Sequence, residues 1–194
     1  MKNYNFVRIL AVLFIFCSLK SVMYAQVIKN TLDADGNRLI VCESDNVKSF
    51  TDKIGTYVNL SYFNNMYVLQ FSFNALNPIS VKEGGRVLIK TNNGQVLNFN
   101  IANSDEDKIG SLEFIGSMPI STYRISPYIV LTKDDIIKIS SGVSRLRMEM
   151  SNSELTEGYF DKVFKSDKIG EKVLKDYRAI SKALKETKSF EDGF

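Results

Sequence analysis

The stretch TYVNLSYFNNMYVLQFSFNA (residues 56–75) decides the fold. Two runs of alternating apolar and polar residues flank Asn64-Asn65, and Asn tolerates the positive φ that a two-residue hairpin turn requires. A turn at these residues sets one register: Tyr62 with Tyr67, Leu60 with Leu69, Val58 with Phe71, Thr56 with Phe73, and on the other face Asn59 with Gln70 and Tyr57 with Ser72. One face is apolar and the other mainly polar, which predicts a sheet half-buried on a core.

A second hairpin surrounds Asn92-Asn93-Gly94. A two-residue Asn-Gly turn would mix apolar and polar side chains on both faces of the hairpin. A three-residue loop pairs Ile89 with Leu97 and Val87 with Phe99, which produces one apolar row. We therefore predict the three-residue loop, with its glycine in the left-handed conformation that a bulge requires.

Further strands are predicted from β-branched and aromatic runs. They are Val27–Thr31, Arg38–Glu43, Leu112–Ile115, Tyr123–Leu131 and Val143–Met150. Pro127 predicts an edge or a bulge within the fourth of these, because proline has no N–H to donate. Thr132 is a good N-cap with acidic residues after it, which predicts a short helix that ends before Gly142.

Near the C-terminus the spacing of apolar residues changes from that of a strand to that of a helix. An apolar stripe at helical spacing consists of Ile169, Val173, Tyr177, Ile180 and Leu184. The opposite side carries five cations: Lys168, Lys172, Lys175, Arg178 and Lys182. An amphipathic helix over about 167–188 is expected to pack its stripe on the strands.

The predicted fold class is α+β or mainly β. We expect an antiparallel β-sandwich or a curved sheet of hairpins, with one short helix and the C-terminal amphipathic helix. No linker and no internal repeat interrupts residues 26–194. They are therefore predicted to form a single β-rich globular domain.

Residues 1–25 have the features of a secretory signal peptide. The chain has 194 residues and a net charge of +3, and this segment contains three cations and no acid, so the rest is neutral. Its 11-residue apolar run, Ile9–Leu19, is shorter than the roughly 20 residues of a membrane-spanning helix. Cleavage before Gln26 is expected, although Met23 is large for its position. An uncleaved anchor and lipidation at Cys17 are the lesser alternatives.

Composition excludes several chemistries. The chain has no His and no Trp, so His-based catalysis and His metal sites are excluded. Cys42 is the one cysteine after the signal segment, which excludes an intramolecular disulfide there. It lies in an apolar run, and we interpret it as a buried strand residue rather than a reactive thiol.

Two acidic segments are candidate cation sites. Asp33-Ala34-Asp35-Gly36-Asn37 resembles part of a calcium loop, but Thr31 and Cys42 occupy positions that need carboxylates. A hairpin turn is the better interpretation. Asn103-Ser104-Asp105-Glu106-Asp107 is interpreted as a solvated loop. No metal and no cofactor are predicted.

No catalytic constellation is evident. Nucleotide-binding loops and the nucleophile elbow are missing, and Glu83-Gly84-Gly85-Arg86 is interpreted as a turn. Catalysis by two carboxylates, as in glycoside hydrolysis, needs no His and stays an alternative. We predict no catalytic residues and favour a non-enzymatic protein.

Two groups of cations are candidate binding residues. Arg145 and Arg147 share a strand face with Glu149, where they either clamp an anionic ligand or form cross-strand ion pairs. The basic helix face could contact an anionic membrane or an acidic polymer, but Glu171 and Glu186 can pair with its lysines, so a solvated helix face is the better interpretation. No aromatic residues alternate with these cations, so no nucleic acid is expected.

The sequence therefore predicts an exported protein, located in a bacterial periplasm or outside the cell, with no transmembrane segment after cleavage. Its expected role is that of a non-enzymatic binding or cell-envelope interaction module for an unknown macromolecule. The alternatives are a carboxylate-dependent hydrolase acting on a glycan, and a surface-associated protein that uses the basic C-terminal helix.

Overall fold

The computed structural model describes residues 27–32, 36–47, 56–75, 80–82, 84–115, 118–150 and 158–191. The signal segment, residues 1–25, lies outside them. The elements are β1 (Val27–Leu32), β2 (Arg38–Cys42), β3 (Asp45–Asn46), β4 (Thr56–Phe63), β5 (Met66–Ala75), β6 (Arg86–Thr91), β7 (Val96–Asn100), β8 (Asn103–Ile115), β9 (Met118–Leu131), α1 (Lys133–Ser140), β10 (Val143–Glu149), β11 (Tyr159–Val163) and α2 (Lys168–Glu191).

The strands form two antiparallel sheets. The larger has the order β1-β2-β4-β5-β9-β8, with β3 pairing with β4, and the smaller has the order β11-β10-β6-β7. Buried side chains from both sheets and both helices form one hydrophobic cluster. The protein is therefore mainly β, with one short helix and a C-terminal helix, as predicted.

The β4–β5 hairpin has the predicted register throughout. Asn64 and Asn65 form its turn with φ of 47° and 61°. The apolar face is buried as predicted, with Leu60 and Leu69 fully inaccessible to solvent. Asn59 differs from expectation, because it lies on the mainly polar face and is nevertheless only 7% exposed.

The β6–β7 hairpin also has the predicted register and the three-residue loop. Its loop is closed by the N–H of Thr91, which donates to the carbonyl of Gln95 at 2.9 Å. Gly94 has φ +90°, a conformation that few other residues adopt. Turn chemistry and the alternation of apolar residues thus determine both hairpins.

Pro127 lies neither in an edge strand nor at a register shift of the β5–β9 ladder, so the prediction of an edge or a bulge is wrong. β9 lies between β5 and β8. The β5–β9 ladder lacks two successive pairs at this point, as the missing proline N–H requires. The hydroxyls of Ser72 and Ser126 are 2.9 Å apart and bridge the two strands at the interruption.

The prediction of a loop over residues 103–107 is also wrong. These residues begin β8, which pairs with β9 along Asn103–Ile115 and contains one register shift. Sequence predicted only Leu112–Ile115, because Asp and Asn disfavour strands locally. Pairing with a long neighbouring strand overrides that preference. β3 and β11 were not predicted.

Both helices are where the sequence predicts them. The Thr132 hydroxyl accepts from the N–H of Asp135 at 3.2 Å, and the Asp135 carboxylate accepts from the N–H of Thr132 at 3.0 Å, which completes a capping box for α1. In α2 the stripe residues Ile169, Val173 and Ile180 are buried. No helix in the described ranges is long and apolar enough to cross a membrane.

Candidate functional site

The outer face of the smaller sheet carries the candidate arginines. Strand alternation buries Leu146 and Met148 of β10 and turns Arg145, Arg147 and Glu149 outward. The pairing of β10 with β6 and β11, and of β6 with β7, places residues of these three strands beside them. We call this surface the cationic sheet face: Arg86, Leu88, Lys90, Val96, Arg145, Arg147, Glu149, Tyr159, Asp161 and Val163.

One carboxylate bridges the two arginines. Asp161 Oδ1 accepts from Arg145 Nε at 2.7 Å, and its Oδ2 accepts from Arg147 Nη2 at 2.6 Å. Arg145 Nη2 also donates to Oδ2. These hydrogen bonds lower the pKa of Asp161 to about 2. Since a single negative charge serves two guanidinium groups, one positive charge stays uncompensated.

Glu149 does not share this network. It accepts from the N–H of Arg86 at 3.1 Å and pairs with the Arg86 guanidinium at 2.7 Å, and the two interactions lower its pKa. The cross-strand ion pairs that the sequence left open as an alternative are therefore present. The acid that binds the arginine pair comes from β11, one of the two strands that the sequence did not predict.

A shallow depression of about 160 Å³ lies beside the arginines. It is lined by Leu88, Lys90, Val96, Arg145 and Arg147. The two arginine side chains are 47% and 36% exposed, and Lys90 has no ion pair among the described residues. The Arg147 guanidinium lies 4.3 Å from the Tyr159 ring centroid, a cation–π contact that restricts its movement. The depression thus offers two fixed guanidinium groups and the ammonium group of Lys90, with no ion pair to the described residues, beside apolar side chains.

Lys172 is buried, so its assignment to a solvated helix face is wrong. Its side chain is 3% exposed, and that of Asp176 is fully buried. Lys172 Nζ donates to Asp176 Oδ1 at 2.7 Å and to the carbonyl of Glu43 at 2.5 Å. Asp45 Oδ2 lies farther away, at 3.6 Å. The helix therefore carries an ion pair into the interface with the larger sheet.

The position of this pair is explained by a break in the sheet. The β2–β4 pairing ends at Val41 and Ser61, and β3 resumes with Asp45 opposite Val58, a shift of one residue. In the gap, Asp176 Oδ2 accepts from the N–H of Leu60 at 3.0 Å. The carboxylate thus takes the place of the missing strand carbonyl.

Burial raises the pKa of the Asp176 carboxyl, although Lys172 and the N–H of Leu60 act in the opposite direction. The pair satisfies main-chain groups and connects helix to sheet, which is a structural role. The sequence contains one indication of this ion pair: Asp176 lies next to the apolar stripe and four residues after Lys172, the spacing at which helix side chains pair.

Cys42 is fully buried, as predicted. Its Sγ lies 3.8 Å from the main-chain carbonyl of Asp176. Burial, and secondly the Asp176 charge, raise the pKa of the thiol to about 12. Nucleophilic chemistry requires the thiolate, so this side chain is unreactive in the folded protein.

The remaining helix cations do not form one surface. Arg178 and Lys182 are exposed, and Lys182 pairs with Glu186 at 3.7 Å as predicted. Lys168, Lys172 and Lys175 line a groove of about 450 Å³ between β3 and α2. Their charges are offset by Asp45 and Glu171 in the same groove and by the buried carboxylate of the ion pair. The groove therefore has no excess charge with which to select an anion.

The acidic segments contribute no cation site within the described residues. Gly36 has φ +78° between β1 and β2, as a hairpin turn requires, and Asp33 and Asp35 lie outside the described residues. The side chains of Ser104–Asp107 and the whole of Glu83 also lie outside them. No group of three or more His, Cys, Asp or Glu that could hold a metal occurs where side chains are described.

Comparison of the chain with protein-family models, curated proteins and solved structures finds no match. The fold by itself does not define an activity, because sandwiches of this kind support many functions. Function is therefore argued from the chemistry of the surfaces.

Proposed function

We propose that the protein is an exported, non-enzymatic binding module that holds an anionic component of the cell envelope on its cationic sheet face. The observation that supports this most is the sharing of one carboxylate, Asp161, by Arg145 and Arg147 beside Lys90, which has no ion pair among the described residues. The depression therefore has positive charge to offer an incoming ligand.

The arrangement suits phosphate or carboxylate groups. Guanidinium groups bind such anions through paired hydrogen bonds, and Asp161 demonstrates that a carboxylate fits between these two arginines. Val96 and Val163 are exposed on the same face. Apolar side chains beside cations are typical of surfaces that contact anionic lipid headgroups.

Export rests on the composition of residues 1–25. Intact-mass analysis of the protein recovered from the cell envelope or the medium tests it. We expect a chain that begins at or near Gln26. Recovery of the full 194-residue chain from the cytoplasm alone would contradict export.

Binding is tested by sedimentation with phosphatidylglycerol vesicles and, separately, by titration with soluble poly-L-glutamate. The vesicles present phosphate and the polymer presents carboxylate. We expect binding to at least one probe at low salt and its loss at high salt, because exposed charges are screened. Arg145→Ala/Arg147→Ala is expected to bind at least about tenfold more weakly, since each charge-assisted hydrogen bond contributes about 1.5 kcal/mol or more.

Arg178→Ala is the matched control, because it removes an exposed arginine from α2. It is expected to bind like the wild type. Binding to neither probe, or equal losses in the sheet and helix variants, would refute the assignment to the cationic sheet face. Turnover of a glycan substrate by the purified protein would refute the non-enzymatic role.

A further inference from the structure

The exposed apolar residues and the excess positive charge of the cationic sheet face lie in one row of side chains. Residues that are directly paired in an antiparallel sheet point to the same face. The register pairs Val96 with Lys90, Lys90 with Arg145, and Arg145 with Val163. We call these residues the valine–cation row. It crosses the whole smaller sheet, and with about 4.8 Å between neighbouring strands its two valines lie about 14 Å apart.

The carboxylates of the cationic sheet face lie in other rows. Glu149 pairs with Arg86, and Asp161 lies directly opposite Arg147. The valine–cation row itself contains two cations and no acid, and among the described residues only Arg145 of these two has an ion pair. The excess positive charge of the face is therefore concentrated in the row that contains the valines.

The two valines flank these cations and are largely open to solvent. Val96 is 57% exposed and Val163 is 62% exposed. Single exposed apolar residues are common on protein surfaces, but here two of them lie on either side of an uncompensated charge. Binding to a membrane surface combines the burial of apolar side chains with attraction to anionic lipids. An anionic bilayer therefore complements both features of the row.

The depression beside the row has the size of a headgroup site. Its volume is about 160 Å³, whereas pockets that enclose a whole ligand are typically about 300–1,000 Å³. Asp161 accepts from Nε and Nη2 of Arg145 and Arg147, which leaves the Nη1 group of each arginine without a hydrogen bond to the described residues. These groups and the ammonium of Lys90 can donate to phosphate oxygens, while acyl chains stay outside the protein.

We infer that the ligand of the cationic sheet face is the headgroup phosphate of an anionic membrane lipid, and that the protein docks on the bilayer with its valine–cation row inserted between headgroups. The inference rests on the proposed function, because it names the ligand of the same face. A soluble carboxylate polymer would satisfy the cations and leave both valines in water. A bilayer covers them, since interfacial apolar side chains reach about 5–10 Å into the boundary between headgroups and acyl chains.

The test is sedimentation of the purified protein with phosphatidylglycerol vesicles and with phosphatidylcholine vesicles. We expect at least about tenfold tighter binding to phosphatidylglycerol, because each cation near an anionic surface adds to the affinity. Soluble glycerol 3-phosphate offers the phosphate without acyl chains, so an equal concentration of it should leave the protein on the vesicles. Displacement at equal concentration would indicate a free phosphate as ligand and would overturn the inference.

Variants locate the inserted residues. Val96→Ser/Val163→Ser is expected to weaken vesicle binding about tenfold, through the loss of apolar burial, and to leave poly-L-glutamate binding unchanged. Ile28→Ser/Leu32→Ser is the matched control, because it removes two apolar side chains of β1 that are each 60% exposed on the larger sheet. It should bind vesicles like the wild type. All four positions are exposed, so folded variants are expected, and circular dichroism verifies this.

The outcomes separate this inference from the proposed function. Unchanged vesicle binding by the valine variant, or equal losses in both serine variants, would overturn the inference. Binding to poly-L-glutamate without binding to phosphatidylglycerol vesicles would also overturn it and would leave the proposed function in place. Binding to neither probe would refute both.

Discussion

Replacing Asp176 by Asn is expected to destabilise the protein strongly. The substitution keeps an oxygen that can accept from the N–H of Leu60 but removes the charge that faces Lys172. Both side chains are almost completely buried. Removing one member of a buried ion pair typically costs about 3–5 kcal/mol, because the other charge is left without compensation.

The assay is urea unfolding followed by circular dichroism and tyrosine fluorescence. A domain typically has about 5–15 kcal/mol of stability, and urea lowers it by about 1–3 kcal/mol per molar. The midpoint is therefore expected to fall by about 2 M. Tyr67 and Tyr177 lie 5.4 Å apart between sheet and helix, so fluorescence reports on this interface.

The helix contains its own control. Lys182 and Glu186 have the same spacing and order, but their side chains are 71% and 66% exposed. Glu186→Gln is expected to cost no more than about 0.5 kcal/mol, since exposed pairs of this kind contribute little. A larger loss of stability in Asp176→Asn than in Glu186→Gln would therefore be due to the burial of the Lys172–Asp176 pair.

A double variant separates charge from packing. Lys172→Met/Asp176→Asn leaves no buried charge, and buried pairs can often be replaced by neutral groups at little cost. We expect the double variant to be at least about 2 kcal/mol more stable than Asp176→Asn alone. The reasoning is refuted if Asp176→Asn costs less than about 1 kcal/mol, or if the second substitution brings no recovery.

Three further outcomes are expected. Gly170→Ala should destabilise the fold, because the new Cβ would lie 2.7 Å from the main-chain nitrogen of Gly142. Overpacking of this kind typically costs about 1–3 kcal/mol, which outweighs the roughly 1 kcal/mol by which Ala favours a helix over Gly. A higher melting temperature of the variant would contradict this. Cys42 should react with a thiol reagent only after unfolding, since it is buried and its pKa is about 12; rapid labelling of the native protein would contradict its burial. The folded-state pKa of Asp161 lies below its unfolded value, so its ionised form stabilises the fold above pH 3.8, and this contribution is lost as the pH falls to about 2. Asp161→Asn should therefore lose less stability than the wild type across that interval in acid-dependent denaturant titrations, and identical losses would contradict the contact.

The two hairpins could be predicted because their determinants are local. Asn64-Asn65 and Gly94 specify the turns, and alternating apolar residues specify the register. The apolar stripe of α2 is equally local. These elements needed no information about the rest of the chain.

The features that were missed depend on distant parts of the chain. Asp161 becomes the partner of the arginines only through the β10–β11 register, which a five-residue strand does not reveal by itself. Lys172 looks like a surface cation until the break between β2 and β3 supplies a carbonyl for it. The burial of Asn59 on a mainly polar face likewise depends on packing, which periodicity does not report.

The most direct test of the proposed function is an NMR titration of isotope-labelled protein with a short poly-L-glutamate, followed through the arginine Nε–Hε resonances. Arg145 and Arg147 are held by Asp161 in the free protein, and binding of an anion must alter those hydrogen bonds. We expect saturable shifts at these two arginines and no comparable shift at Arg178. Unchanged Arg145 and Arg147 resonances, or equal shifts at all three, would contradict ligand binding at the cationic sheet face.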